Sequence, residues 1–101
     1  MATTPMTEAE ISERLARLHS WEREGEWIHR TYKLTSYTAG LAFASAVGTI
    51  ADAFDHHPEM LITWRKVRVS FTTHDAGYKL THKDFDVAEA VDALKVRSLE
   101  G

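Results

Sequence analysis

Three histidines stand where the chain leaves side chains free to do chemistry. His56 and His57 follow the end of an apolar helical stretch and are held by Pro58. His74 closes the best-patterned strand, beside Asp75. Histidine is the side chain best placed to exchange protons near neutral pH. Loop and element-end positions leave its ring open to solvent and substrate. A neighbouring carboxylate can accept from one ring nitrogen and so fix which tautomer is present. Asp52 precedes His56 by four residues, so on a continuing helix the two share a face. Asp55 precedes it directly and points elsewhere. Asp52 is therefore the expected orienting partner of His56, and the chemistry open to these groups, taken alone, is no more than that of a candidate acid–base site.

Other readings compete. Two adjacent histidines can be surface residues. A metal site could be drawn from His56, His57, His74 and an aspartate, but adjacent histidines rarely aim at one ion without a bend, and no H-E-x-x-H pattern occurs. No metal is expected. His19, His29 and His82 show no partner in the sequence and receive no role. There is no Gly-rich phosphate loop, no nucleophile turn with a matching triad order, and no cofactor fingerprint.

The elements that must position these groups belong to a small protein. The 101 residues fit a single domain, 1–101, with 1–6 as a flexible tail. Apolar content of 44% and charged content of 27% are ordinary globular values and leave little room for disorder. The absence of cysteine removes disulfides and thiolate chemistry and suits a reducing compartment. No secretory leader and no membrane-length apolar run is visible, so a cytoplasmic protein without a membrane partner is expected. With a net charge of −3 and no basic stripe, direct nucleic-acid binding is not expected. Arg65, Lys66 and Arg68 read as a solvated strand face.

Thr7 and Glu10 form a capping-box pattern ahead of Ile11, Leu15 and Leu18, one face of a helix. Trp21 to Leu34 reads as a hairpin turning at Gly25, with Ile28, Arg30, Tyr32 and Leu34 on one parity. Arg30 is the polar exception on that face. Ser36 caps a second helix running to about Phe54, with Phe43, Val47, Ile50 and Phe54 as its core stripe. Gly40, Ala44 and Gly48 form a second stripe of small residues, for packing in the monomer or against another subunit. A strand over Thr63–Thr73 alternates Val67, Val69 and Phe71 with polar residues. After a turn at Asp75–Gly77, a short strand is expected over Tyr78–Leu80. A third helix follows from Thr81 and Asp84, burying Ala88, Val91 and Leu94. The predicted fold class is α+β, order α-β-β-α-β-β-α, a four-stranded antiparallel sheet with three helices on one face.

Several spaced elements then agree with one family. Asp52-Ala53-Phe54-Asp55-His56-His57-Pro58-Glu59, Trp64 six positions after Pro58, Thr73-His74-Asp75, and Asp84 at the last helix start together resemble the pterin-4a-carbinolamine dehydratases. The resemblance extends over Trp21 and the second and third helices. It implies the same four-stranded, three-helix fold, assembled as a homodimer or homotetramer. It implies loss of water from a 4a-hydroxytetrahydropterin to give a quinonoid dihydropterin, which regenerates the pterin used by aromatic amino-acid hydroxylases. No metal or organic cofactor is implied; the pterin is the substrate. His56 and His74 become the catalytic acid–base pair, and His57, Asp52, Thr73 and Asp75 the substrate-binding residues. The alternative is a non-catalytic interaction module on the same fold, since family members also act as a dimerisation cofactor or as assembly factors.

The chain departs from the family pattern in two places. One extra residue lies in Asp75-Ala76-Gly77-Tyr78-Lys79-Leu80, where the family reads Thr-His-x-x-Gly-Gly-Leu, and Met60 stands where an aromatic often follows His-His-Pro-Glu. On one straight strand Trp64 and His74 would lie roughly 33 Å apart at ~3.3 Å per residue. Trp64 is therefore read as structural.

Overall fold

Thr7 closes the first helix as its spacing predicts. Its N–H donates to Glu10 Oε1 at 2.8 Å and its Oγ1 accepts from the Glu10 N–H at 3.2 Å. The computed structural model describes residues 3–94, so residues 1 and 2 of the expected tail lie outside the described residues. The tail stops short of Met6, whose N–H donates to the Leu80 carbonyl at 2.9 Å and whose side chain is buried in the core. Helix α1 (Glu8–Ala16) leads to strands β1 (Glu22–Glu24) and β2 (Trp27–Lys33). Between them Gly25 takes the left-handed φ of 61° that the turn requires. Helix α2 (Tyr37–Phe54) starts at Ser36, whose Oγ accepts from the Ala39 N–H. Strands β3 (Glu59–Thr63) and β4 (Lys66–Phe71), a single 3-10 turn at His74–Ala76, and helix α3 (His82–Asp92) complete the chain.

The sheet order is β1-β2-β4-β3 and every pairing is antiparallel. The expected α-β-β-α-β-β-α order holds, but its last two strands sit elsewhere. The strand read over Thr63–Thr73 is broken by a reversal at Trp64–Arg65, and its first residue closes β3. The run Met60-Leu61-Ile62 is apolar on both parities, which conceals the period-two signal of an edge strand. Register pairs Met60 with Val69 and Ile62 with Val67, so one parity of β3 joins the core. Tyr78–Leu80 forms no strand; a single bridge joins Lys79 to Thr73.

One face of the sheet carries the core. Ile28, Val67, Val69 and Phe71 are fully buried and share a cluster with Ile11 of α1, Phe43 and Val47 of α2, and Phe85, Ala88 and Val91 of α3. Full burial of a side chain of this size stabilises the fold by about 1.5–3 kcal/mol. The opposite parity is exposed at Thr31, Lys33, Leu61 and Lys66 and half-buried at His29, Arg68 and Ser70. The three helices therefore cover one face.

Arg30 sits on the covered face and is half-buried because Asp92 meets it. Asp92 Oδ1 accepts from Arg30 at 2.9 Å and from the Tyr32 hydroxyl at 2.7 Å, and Asp92 Oδ2 accepts from the Trp21 indole N–H at 2.9 Å. This cluster ties the end of α3 to β2 across the sheet. Two details of α2 differ from expectation. Phe54 is exposed, so the core stripe ends at the partly buried Ile50. Of the small residues, Gly40 faces β4, where a Cβ would lie 3.4 Å from Val67 Cγ2, close to ordinary contact; nothing lies within 4 Å of one at Gly48.

Candidate active site

The site begins with the way α2 ends. Asp55 takes a left-handed conformation, φ 50° and ψ 41°, and the His56 N–H donates back to the Ala51 carbonyl at 3.1 Å. Such a turn satisfies the last helical carbonyls and stops the helix abruptly. Pro58, with no N–H to give, cannot resume it. His56 is thereby turned inward and His57 outward. The His56 ring is nearly parallel to Phe71 at the end of β4, with centroids 6.0 Å apart and 12° between planes.

This ending corrects the assignment of Asp52. The four-residue relation with His56 holds only on a continuing helix, and the left-handed Asp55 interrupts it. Asp52 Oδ1 instead lies 2.7 Å from His57 Nε2, in an exposed pair. The partner of His56 is Asp84, whose Oδ1 is 2.6 Å from His56 Nε2 in the interior. Asp84 is completely buried, and its Oδ2 accepts from Thr73 Oγ1 and from the Thr81 N–H, both at 2.9 Å. Buried carboxylates persist where hydrogen bonds of this kind satisfy their lone pairs. With Nε2 engaged, Nδ1 of His56 has no hydrogen-bond partner among the described residues.

The chain then brings His74 alongside. Thr73, after β4, anchors the loop: its carbonyl accepts from Ala76, Tyr78 and Lys79, and its hydroxyl is committed to Thr81 and Asp84. The Thr72 hydroxyl donates to the Glu26 carbonyl, and Glu26 Oε1 accepts from the Leu80 N–H, which fastens the loop to the β1–β2 turn. His74 projects from this frame beside Tyr78 and Trp27, with ring centroids 4.7 and 6.4 Å away.

A polar cavity of about 230 Å³ opens where these segments meet. His56, His57 and His74 line it together with Asp55, Thr72, Thr73, Asp75 and Lys83. Of the residues expected to catalyse or bind substrate, Asp52 alone is not on its wall; it reaches the site through His57. Asp84 was legible as a helix-start residue but not as the partner of His56. Trp27, Tyr78 and Lys83 carried no sequence signal for this site. A larger groove of about 550 Å³ lies at the β3–β4 turn between Lys33, Trp64 and Lys66 and contains no imidazole. Trp64 is 75% exposed there, outside the buried core and away from the histidine cavity. Among the described residues no cluster of three histidines and carboxylates is arranged to hold a metal ion, and no helix is long and apolar enough to cross a membrane.

Comparisons with known proteins bear on the family and the fold. Residues 4–94 match the family described as pterin 4 alpha carbinolamine dehydratase. A relative from Roseiflexus sp. (strain RS-1), named "Putative pterin-4-alpha-carbinolamine dehydratase", is 47% identical over 90% of this chain and 97% of its own. One of the same name from Natronomonas pharaonis is 48% identical over 88% of this chain and 94% of its own. Among solved structures, a transcriptional coactivator/pterin dehydratase from Brucella melitensis superposes with a TM-score of 0.82 at 28% identity, over 89% of this chain and 97% of that one. A pterin dehydratase-like RuBisCO assembly factor of the alpha-carboxysome shares the fold, with a TM-score of 0.62 at 22% identity over 74% of this chain and 88% of that one.

Proposed function

This chain belongs to the pterin 4 alpha carbinolamine dehydratase family, and from that premise we propose that it dehydrates 4a-hydroxytetrahydropterin to a quinonoid dihydropterin by histidine acid–base catalysis. The observation that carries the proposal is the convergence of His56, His57 and His74 on one polar cavity. The reaction delivers a proton to the leaving 4a-hydroxyl, which departs as water, and removes a proton from a ring nitrogen of the pterin. Two imidazoles can do both, and such catalysis is worth ~10²–10⁴-fold. His56 and His74 form the pair. The His56–Asp84 contact fixes one ring and its tautomer, and leaves Nδ1 to exchange a proton. His57, braced by Asp52, binds and orients the pterin, with Thr73 and Asp75 on the cavity wall. The reaction asks for no metal or organic cofactor. A cytoplasmic setting agrees with the cysteine-free composition.

The test compares dehydration of freshly generated 4a-hydroxytetrahydropterin by the unaltered protein with that by its His74→Ala and His56→Ala variants. A fast reaction that falls about 10²-fold or more in each is the expected result. No acceleration over buffer by the folded protein would sink the proposal.

A second reading has its own observation. Tyr37, Leu41 and Phe54 of α2 are exposed, and the helix carries one charged residue, Asp52. An apolar helix surface suits association, as a homodimer or homotetramer or as an interaction module for another protein. A complex that survives replacement of all three cavity histidines would favour the module.

A further inference from the structure

We propose that Tyr78 is a positioning residue for His74, holding its imidazole toward the cavity by ring stacking; this rests on the reading of His74 as one of the acid–base pair. The three cavity imidazoles are held differently. His56 and His57 each meet a carboxylate oxygen, at 2.6 and 2.7 Å. The His74 ring has no hydrogen-bond partner among the described residues. What bears on it is aromatic: Tyr78 lies 4.7 Å away with 30° between planes, and Trp27 stands edge-on at 6.4 Å and 67°.

Tyr78 keeps that place against its own backbone preference. Its φ is 61°, in the left-handed region where a side chain crowds the neighbouring carbonyl. Core burial does not compel it, since the residue is 59% exposed. The surrounding loop holds it: Tyr78 N–H and Lys79 N–H donate to the Thr73 carbonyl, Gly77 N–H donates to the His74 carbonyl, and Leu80 is fastened to Glu26. Tyr78 also falls in the turn where this chain carries one residue more than the family pattern.

Stacking has a chemical advantage here. An exposed imidazole without a partner samples several rotamers. A carboxylate would hold it but would occupy one nitrogen. A phenol ring packed against it restricts the imidazole and leaves both nitrogens free for proton transfer. Misplacing a reacting group by about 1 Å can cost up to ~10²-fold in rate.

Three proteins test this: the unaltered chain, Tyr78→Phe and Tyr78→Gly. Glycine removes the ring and relieves the positive φ, so Tyr78→Gly should melt at the same temperature or higher. Its kcat should fall about tenfold with KM little changed, while Tyr78→Phe retains the original kcat. The ring-current shift of the His74 imidazole C–H resonances should persist in Tyr78→Phe and vanish in Tyr78→Gly. An unchanged kcat and unchanged His74 resonances in Tyr78→Gly would overturn the inference. A change confined to KM would also overturn it, by placing Tyr78 against the substrate. If the unaltered protein has no dehydratase activity, the acid–base reading fails instead, and the resonances still decide whether the rings stack.

Discussion

His56 Nε2 lies 2.6 Å from Asp84 Oδ1, although the two residues are 28 positions apart and start from the ends of different helices. Asp84 belongs to the first turn of α3, where it also closes the capping box by accepting from the Thr81 N–H. One carboxylate thus starts a helix, anchors the Thr73 loop and fixes a cavity imidazole. The stability of the fold and the geometry of the site share this residue.

Asp84→Ala should therefore damage both. It leaves the Thr81 N–H, the Thr73 hydroxyl and His56 Nε2 without their buried acceptor. The expected loss is about 3–5 kcal/mol of unfolding free energy, read by urea denaturation. Residual dehydratase activity should fall to the level of His56→Ala. A variant as stable as the parent would contradict the buried hydrogen bonds described.

The Asp52–His57 pair should behave differently, because both side chains are exposed. Asp52→Ala should change stability by under ~1 kcal/mol. His57→Ala should raise KM for the pterin more than it lowers kcat. Steady-state kinetics would disprove the binding role of His57 if kcat alone fell.

Asp55 occupies a left-handed position at the end of α2. Asp55→Gly removes the crowding of a Cβ there and should raise stability by about 0.5–1 kcal/mol. Thermal melting checks this; a lowered melting temperature would mean that the carboxylate has a partner of its own.

Tyr32 gives an alkaline signature. Burial, followed by the hydrogen bond to Asp92, pushes its phenol well above the ordinary value of 10.0. The raised value means that Tyr32 contributes in full below about pH 10. Above that the unfolded chain releases this proton while the folded protein keeps it, so stability declines as pH rises. Tyr32→Phe should show a shallower decline between pH 10 and 11 in denaturant titrations. Identical slopes for the two proteins would show that the phenol is not protected.

Much of this molecule was written locally. Thr7, Ser36 and Thr81 announce their helices because a cap is satisfied within three residues. Gly25 marks its turn because few residues tolerate positive φ, and the alternation of Val67, Val69 and Phe71 names the buried face of β4 because strand side chains alternate. The spaced motif from Asp52 to Asp84 was enough to point to the family, and with it to the histidines that matter. Tertiary structure decided which carboxylate serves which ring. Local spacing assigned Asp52 to His56, but a left-handed residue at Asp55 broke the helical relation and packing supplied Asp84 from α3. It also decided that β3 exists, since three consecutive apolar residues hide a period of two until Met60 and Ile62 find Val69 and Val67 across the sheet. Periodicity and capping are properties of neighbouring residues and can be read along the chain. A hydrogen bond between residues 28 positions apart depends on where the sheet carries each of them.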